Sequence, residues 1–327
     1  MSLKDINFIF SIKSIDDLLR CINLASLLEV TGWPKPGNIS LIHRTKNFDK
    51  TRFEHFLAGI AAIQPNFRKL CENILATSIK KSQNFSFVRL GDLFKDASKE
   101  MMTWQMGGNV LLGHILILAP LVSATTICLK LSKYHFNDFN YYLNKIIDDS
   151  TVNDTINLYE AIRICNPGGL GKIKKYDVYD YHSIKDIQKD KITLKKIFEF
   201  SKDYDLISLE YSTGFNIILN DGLPYFFRAF NQYNDINIAT VNTYLKLLSL
   251  HPDTLIIRKS GLKSAQYVSN LASKIIQMGG ISSDEGLKLT FNLDNELQEK
   301  GGKMNPGTTA DLITGIIFCA LIFGLRF

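Results

Sequence analysis

The stretch MMTWQMGGNVLLGHILILAPLVSATTICLK, residues 101–130, decides the fold. No formal charge falls between Val110 and Leu129, and the run nearly reaches the ~20 apolar residues that span a bilayer. Its interior argues against that use. His114 sits inside it, Ser123, Thr125 and Thr126 follow, and no aromatic belt flanks it. The run is read as a buried helix of a soluble protein. A helix that is apolar all round needs other helices packed about it. It opens on a polar, glycine-rich edge at Gly107, Gly108 and Asn109, where open backbone can meet a ligand.

Working outward, the chain supplies those helices. Ser14 is a cap with Asp16 and Asp17 in the first turn, and Leu18, Leu19, Ile22, Leu24 and Leu27 form one face. Trp33-Pro34-Lys35-Pro36-Gly37 stops that helix, because prolines cannot continue it and glycine permits the turn. Residues 51–80 carry Phe53, Phe56, Leu57, Ile60, Ile63, Leu70 and Ile74 at helical spacing, with an interruption expected near Pro65. Further helices are expected at 153–164, 240–250, 264–278, 285–300 and 309–323. Strand patterns are scarce, and Leu255-Ile256-Ile257 is the only tempting fragment. The lysine- and aspartate-rich segment 172–202 reads as solvated loop and helix surface. With no repeat and no compositional break, residues 1–327 are expected to form one all-α, compact, multi-helix domain around the central apolar helix.

Composition narrows the function. Of 327 residues, 46% are hydrophobic and 21% charged, an ordinary globular balance. A net charge of +6 suits an anionic small ligand such as a nucleotide and is too small to argue for nucleic acid. The five cysteines are far apart with no C-x-x-C pair, which leaves zinc and disulfide frameworks unsupported and implies buried free thiols. The first twenty residues lack the pattern of a secretory signal, so the expected setting is cytoplasmic, with no membrane partner.

Polar, glycine-containing segments flank the apolar helices at 34–38, 107–109, 166–171 and 305–308. Helix N-termini present unpaired N–H groups and a positive dipole end, and glycine lets a phosphate approach. Each segment alone marks only a helix end. Together they resemble the triphosphoribosyl-dephospho-CoA synthase family. Glu29 followed by Pro34-Lys35-Pro36-Gly37 matches its E…PKPG signature. Met101 and Asn109…Gly113 fall where the family has M…N-T-H-K-G. Ala161-Ile162-Arg163 leads to a glycine turn at Gly168, Gly169 and Gly171, and Asp253-Thr254 precedes Arg258. Asn305-Pro306-Gly307-Thr308-Thr309-Ala310-Asp311-Leu312 resembles the closing S-P-G-G-x-A-D-L motif. The likeness runs from Glu29 to Leu312.

The resemblance implies an all-helical transferase that joins the triphosphoribosyl part of ATP to a dephospho-CoA-like acceptor and releases adenine. ATP is then a substrate, with Mg2+ on its phosphates. On this reading Glu29 and Asp49 are the catalytic acids and Asp311 the metal ligand. The substrate-binding set is Lys35, Gly37, Asn38, Asn109, Arg163, Gly168, Gly169, Gly171, Arg258, Lys259, Asn305 and Thr308. His114 is expected to be a hydrogen-bonded core residue, and His43 and His55 are assigned no zinc. The chain also departs from the family. Leu111 and Leu112 stand where the family has His and Lys, Ser40 stands for an aspartate, and Asp49 is displaced in register. A hydrolase or other enzyme of nucleotides or phosphoribosyl compounds on the same scaffold, or a non-catalytic nucleotide-binding helical protein, is the alternative.

Overall fold

Ser14 begins the first helix as its chemistry dictates: its hydroxyl accepts the Asp17 N–H at 3.1 Å. The structure is a computed structural model that describes residues 8–42, 51–79 and 84–327. The helices are α1 Ile15–Thr31, α2 Phe53–Ala76, α3 Leu90–Trp104, α4 Leu112–Lys130, α5 Phe136–Asp148, α6 Val152–Cys165 and α7 Ser183–Lys189. There follow α8 Leu194–Ser201, α9 Leu206–Thr213, α10 Leu223–Tyr233, α11 Ile236–Leu250, α12 Thr254–Ser260, α13 Leu262–Gln277, α14 Asp284–Gln298 and α15 Gly307–Ile322. The all-α reading holds: among the described residues strand pairing is confined to one isolated bridge, Ile9 with His135.

The central helix is α4. Every side chain from Ile115 to Cys128 is buried, and α2, α3, α5 and α15 pack around it. Its hydroxyls are satisfied within the helix: Ser123, Thr125 and Thr126 donate to the carbonyls of Ala119, Leu121 and Val122 at 2.7, 2.8 and 2.8 Å. By length and composition α4 is long and apolar enough to cross a membrane, yet 89% of its apolar stretch is buried within the fold. The second apolar helix, α15, crosses it closely. A Cβ at Gly315 would come within 2.7 Å of Ile117, so the glycine is what lets the two helices approach. The five cysteines are free and buried.

Two local expectations are corrected. Helix α2 runs through Pro65 without a break. The proline removes one N–H, and the buried face of Ile60, Ile63, Phe67, Leu70 and Ile74 holds the helix on either side of it. The fragment Leu255-Ile256-Ile257 is helical, inside α12, because the Asp253 carboxylate accepts the Leu255 and Ile256 N–H groups at 2.8 and 3.1 Å.

Between α9 and α10, residues Ile217–Gly222 form a π-helical turn, a form rarely seen outside short bulges. The fully buried Glu210 organises it, accepting the Ile217 and Ile218 N–H groups at 2.8 and 2.9 Å. Burial pushes its carboxyl up to about 8, while those two amides pull it back. Folded Glu210 therefore keeps its proton over a range where the unfolded chain, with an ordinary value near 4.5, has released it. Stability contributed by this group should fall as pH rises from about 4.5 to about 8 and be flat outside that window, with a slope of at most about 1.4 kcal/mol per pH unit. Urea denaturation across that range should show the slope lessened in Glu210→Gln. A variant with wild-type pH dependence would contradict it.

Candidate active site

The 33–38 turn folds back beneath the C-terminal end of α1. Gly37 adopts φ +77° and its N–H donates to Asp294 of α14 at 2.9 Å. The Tyr244 hydroxyl of α11 donates to the Pro36 carbonyl at 2.8 Å and accepts from Asn38 at 2.8 Å, and Gln298 donates to the Asn38 carbonyl at 2.7 Å. Clamped this way, the turn aims Lys35 back at Glu29. Its ammonium donates to both the Glu29 carbonyl and its carboxylate, and the pair is buried.

The N-terminus of α4 meets this pair. Asn109, just before it, accepts the Leu112 N–H at 3.2 Å. One turn in, His114 Nε2 lies 3.2 Å from Glu29 Oε2, 3.0 Å from Thr314 Oγ1 and 3.6 Å from Asp311 Oδ1. The third component is the start of α15. Asp253, fully buried, accepts from both the N–H and the hydroxyl of Thr309 at 2.6 and 2.8 Å, while also capping α12. One carboxylate thus holds two helix starts together. Arg258 of α12 donates to Asp205 at 2.9 Å. His114 Nδ1, Arg258 Nε and Asn305 Oδ1 are buried and make no hydrogen bond with the described residues.

The two acids beside His114 sit in different surroundings. Burial alone would raise the Glu29 carboxyl. The Lys35 ammonium and then the His114 hydrogen bond override it and hold Glu29 below the ordinary carboxylate range. Asp311 keeps 22% of its side-chain surface open. The protein around the rest pushes its carboxyl up to about 7, against the pull of His114. Carboxylates driven apart within one site are a recurring arrangement in acid–base chemistry.

A cleft of about 560 Å3 opens over these groups, a size suited to a small molecule. Glu29, Lys35, Asn38, Asn109, Gly169, Gly171, Arg258, Asn305, Thr308 and Asp311 all line it. Asp49, and His43 with it, lie outside the described residues. Four other expected ligand residues turn elsewhere. Gly37 packs against Leu297, Met304 and Pro306. Gly168 lies over the Lys259 side chain, and Lys259 reaches the Gly302 carbonyl at 3.4 Å. Arg163 is spent on the chain's own backbone: it donates to the Val178 and Asp180 carbonyls at 2.6 and 3.3 Å and lies over the Tyr181 ring. Lys35 lines the cleft, but with its charge turned to Glu29 instead of outward.

Sequence reasoning missed His114 and Asp205 as cleft residues. His114 is buried and hydrogen-bonded as expected, yet it sits at the centre of the cluster. Its signal was a titratable side chain in an otherwise apolar run, five residues past Asn109. No comparable signal marked the apolar wall of the cleft, whose Leu158 and Ile162 read as ordinary core positions.

Comparison with known proteins adds a family. A model described as ATP:dephospho-CoA triphosphoribosyl transferase matches residues 15–326. The 2-(5''-triphosphoribosyl)-3'-dephosphocoenzyme-A synthase of Klebsiella pneumoniae is 30% identical over 104 residues, 32% of this chain and 34% of that one. The synthase of the same name from Escherichia fergusonii is 33% identical over 104 residues, with the same coverage. The alignment thus spans about a third of the length of the curated relatives it matches. A crystal structure from Archaeoglobus fulgidus, provisionally named a triphosphoribosyl-dephospho-CoA synthase, superposes with a TM-score of 0.60 at 26% identity. It covers 83% of this chain and 100% of its own.

Proposed function

This chain belongs to the ATP:dephospho-CoA triphosphoribosyl transferase family, and from that premise we propose that the cleft transfers the triphosphoribosyl group of ATP to dephospho-CoA with release of adenine. The observation that carries the reading is the ionised Glu29, buried between Lys35 and His114 where the N-termini of α4 and α15 converge on one cleft. The acceptor's ribose hydroxyl attacks C1′ of the ATP ribose, the new C–O bond forms and the C–N bond to adenine breaks. Glu29 takes the hydroxyl proton, and the departing adenine carries one away, so protons balance over the cycle. The same carboxylate is placed to stabilise positive charge developing on the ribose, as in glycosyl transfer generally. Lys35 sets the charge state of Glu29, and Arg258 with the starts of α4 and α15 lines the part of the cleft where the triphosphate would lie.

Mg2+ fits this site in a limited way. Among the described residues no group of three or more His, Cys, Asp or Glu side chains is arranged to hold a metal. Asp311, partly open to the cleft, would serve as a single protein ligand, with phosphate oxygens and water completing the shell, as is usual for Mg2+ on nucleotides. When bound, the ion would supply neutralising charge on the triphosphate. An ATP-fed reaction suits the cytoplasmic setting expected from the sequence.

The direct test is incubation with Mg2+, ATP and 3′-dephospho-CoA, following free adenine and the mass of the acceptor product. Equimolar adenine and adduct are expected, and ATP consumption without adenine would overturn the reading. Binding is checked separately. ATP with Mg2+ should raise the melting temperature, by the equivalent of about 2.7 kcal/mol at a hundredfold excess over Kd. The Asn305 amide oxygen has no hydrogen-bond partner among the described residues, so Asn305→Ala should leave the apo melting point near wild type. It should weaken ATP about three- to tenfold, the worth of one hydrogen bond. Unchanged ATP affinity would remove Asn305 from the binding set.

A further inference from the structure

The polar groups account for one side of the cleft. Another part of the lining, on elements packed against one another, is an apolar wall: Leu158 and Ile162 of α6, Tyr176 and Val178 of the following loop, Ile197 and Phe198 of α8. None of the six carries a formal charge. The wall is also firmly built. The Tyr159 hydroxyl donates to the Tyr176 carbonyl at 2.6 Å, and Arg163 donates to the Val178 carbonyl at 2.6 Å, which straps the loop onto α6. Phe198 stacks on Tyr211 with ring centroids 4.1 Å apart, and Tyr211 donates to the Leu116 carbonyl of α4 at 2.6 Å. The wall therefore rests on the same central helix that positions His114. At its edge Asp205, held by Arg258, joins it to the polar side.

A triphosphate gains nothing from such a surface, since burying its charge against hydrocarbon is unfavourable. The second substrate offers a better match. Dephospho-CoA carries a ribose and a diphosphate at one end and a long, uncharged amide chain ending in a thiol at the other. We propose that this wall binds that pantetheine chain, leaving the acceptor's ribose hydroxyl at Glu29 on the polar side. The assignment rests on the transferase reading given above. It gives Arg163 a purpose: a positioning residue that fixes the wall through Val178.

Pantetheine itself, which lacks the nucleotide, is the probe. Isothermal titration should show saturable binding to the wild-type protein. Ile162→Ala, which removes side-chain methyl and methylene groups from the wall, should weaken that binding about tenfold or more. Val178→Asp, a change at the loop rather than on α6, should do the same, so a folding defect in one variant does not decide the matter. In turnover, both variants should raise KM for dephospho-CoA by about tenfold without raising KM for ATP. If wild type does not bind pantetheine, or if KM for ATP rises instead, the wall holds something other than the chain and the proposal fails. If pantetheine binds and the variants weaken it while no adenine is ever released, the transferase reading fails and the wall assignment stands.

Discussion

Replacing Glu29 by glutamine is expected to slow adenine release by about 10²–10⁴-fold, the usual worth of a positioned general base. The substitution keeps the shape of the side chain and removes the one negative charge facing both Lys35 and His114. It should also weaken the fold, because the Lys35 ammonium is buried and would be left without its carboxylate. Removing one member of a buried ion pair costs about 3–5 kcal/mol. These two effects separate in the double variant Glu29→Gln, Lys35→Met. Replacing the whole pair by uncharged groups should recover much of the stability and none of the rate. The measurements are urea denaturation and chromatographic assay of adenine. A Glu29→Gln protein retaining more than a tenth of the wild-type rate would take Glu29 out of the chemistry.

Gly113→Ala should inactivate the enzyme without unfolding it. An added Cβ would stand 1.9 Å from Asp311 Oδ2 and 2.1 Å from its Cγ, so the carboxylate would have to swing away. Gly113 is otherwise an ordinary helical position, where alanine is favoured by up to about 1 kcal/mol. The melting temperature should therefore stay near wild type or rise. The rate should drop about a hundredfold, the typical penalty for misplacing a group by an ångström. If Gly113 acts only by making room for Asp311, the double variant Gly113→Ala, Asp311→Ala will be no slower than Asp311→Ala alone. Additive losses would mean the glycine has some other role.

Which parts of this were legible in the sequence follows from what periodicity and punctuation report. The cap at Ser14, the stop at Trp33–Pro36 and the uncharged run of α4 are local facts, and each appears where it was expected. The motif residues Glu29, Asn109 and Asp311 meet in one cleft because each sits at a helix end, and those ends are packed together by α4 and α15. Where a charge points is a different kind of fact. Lys35 on a stiff turn could face solvent or fold inward, and the choice is made by Asp294, Tyr244 and Gln298, none of them near it in sequence. The directions of Arg163 and Lys259 are hidden for the same reason: their partners are backbone carbonyls of loops, which leave no mark in composition. Pro65 shows the converse, a local breaker overruled by tertiary burial.

The clamp on the 33–38 turn joins segments from opposite ends of the chain: Gly37 to Asp294, and Asn38 to Gln298. A polypeptide emerging from a ribosome presents its early part first, at about 5–20 residues per second. During that time Glu29 and Lys35 exist without α14 or α15 to close over them, and Asp311 has not yet been synthesised. The cleft thus closes only once α14 and α15 have been made: until then the turn lacks its clamp and Glu29 and Lys35 stand without Asp311 beside them.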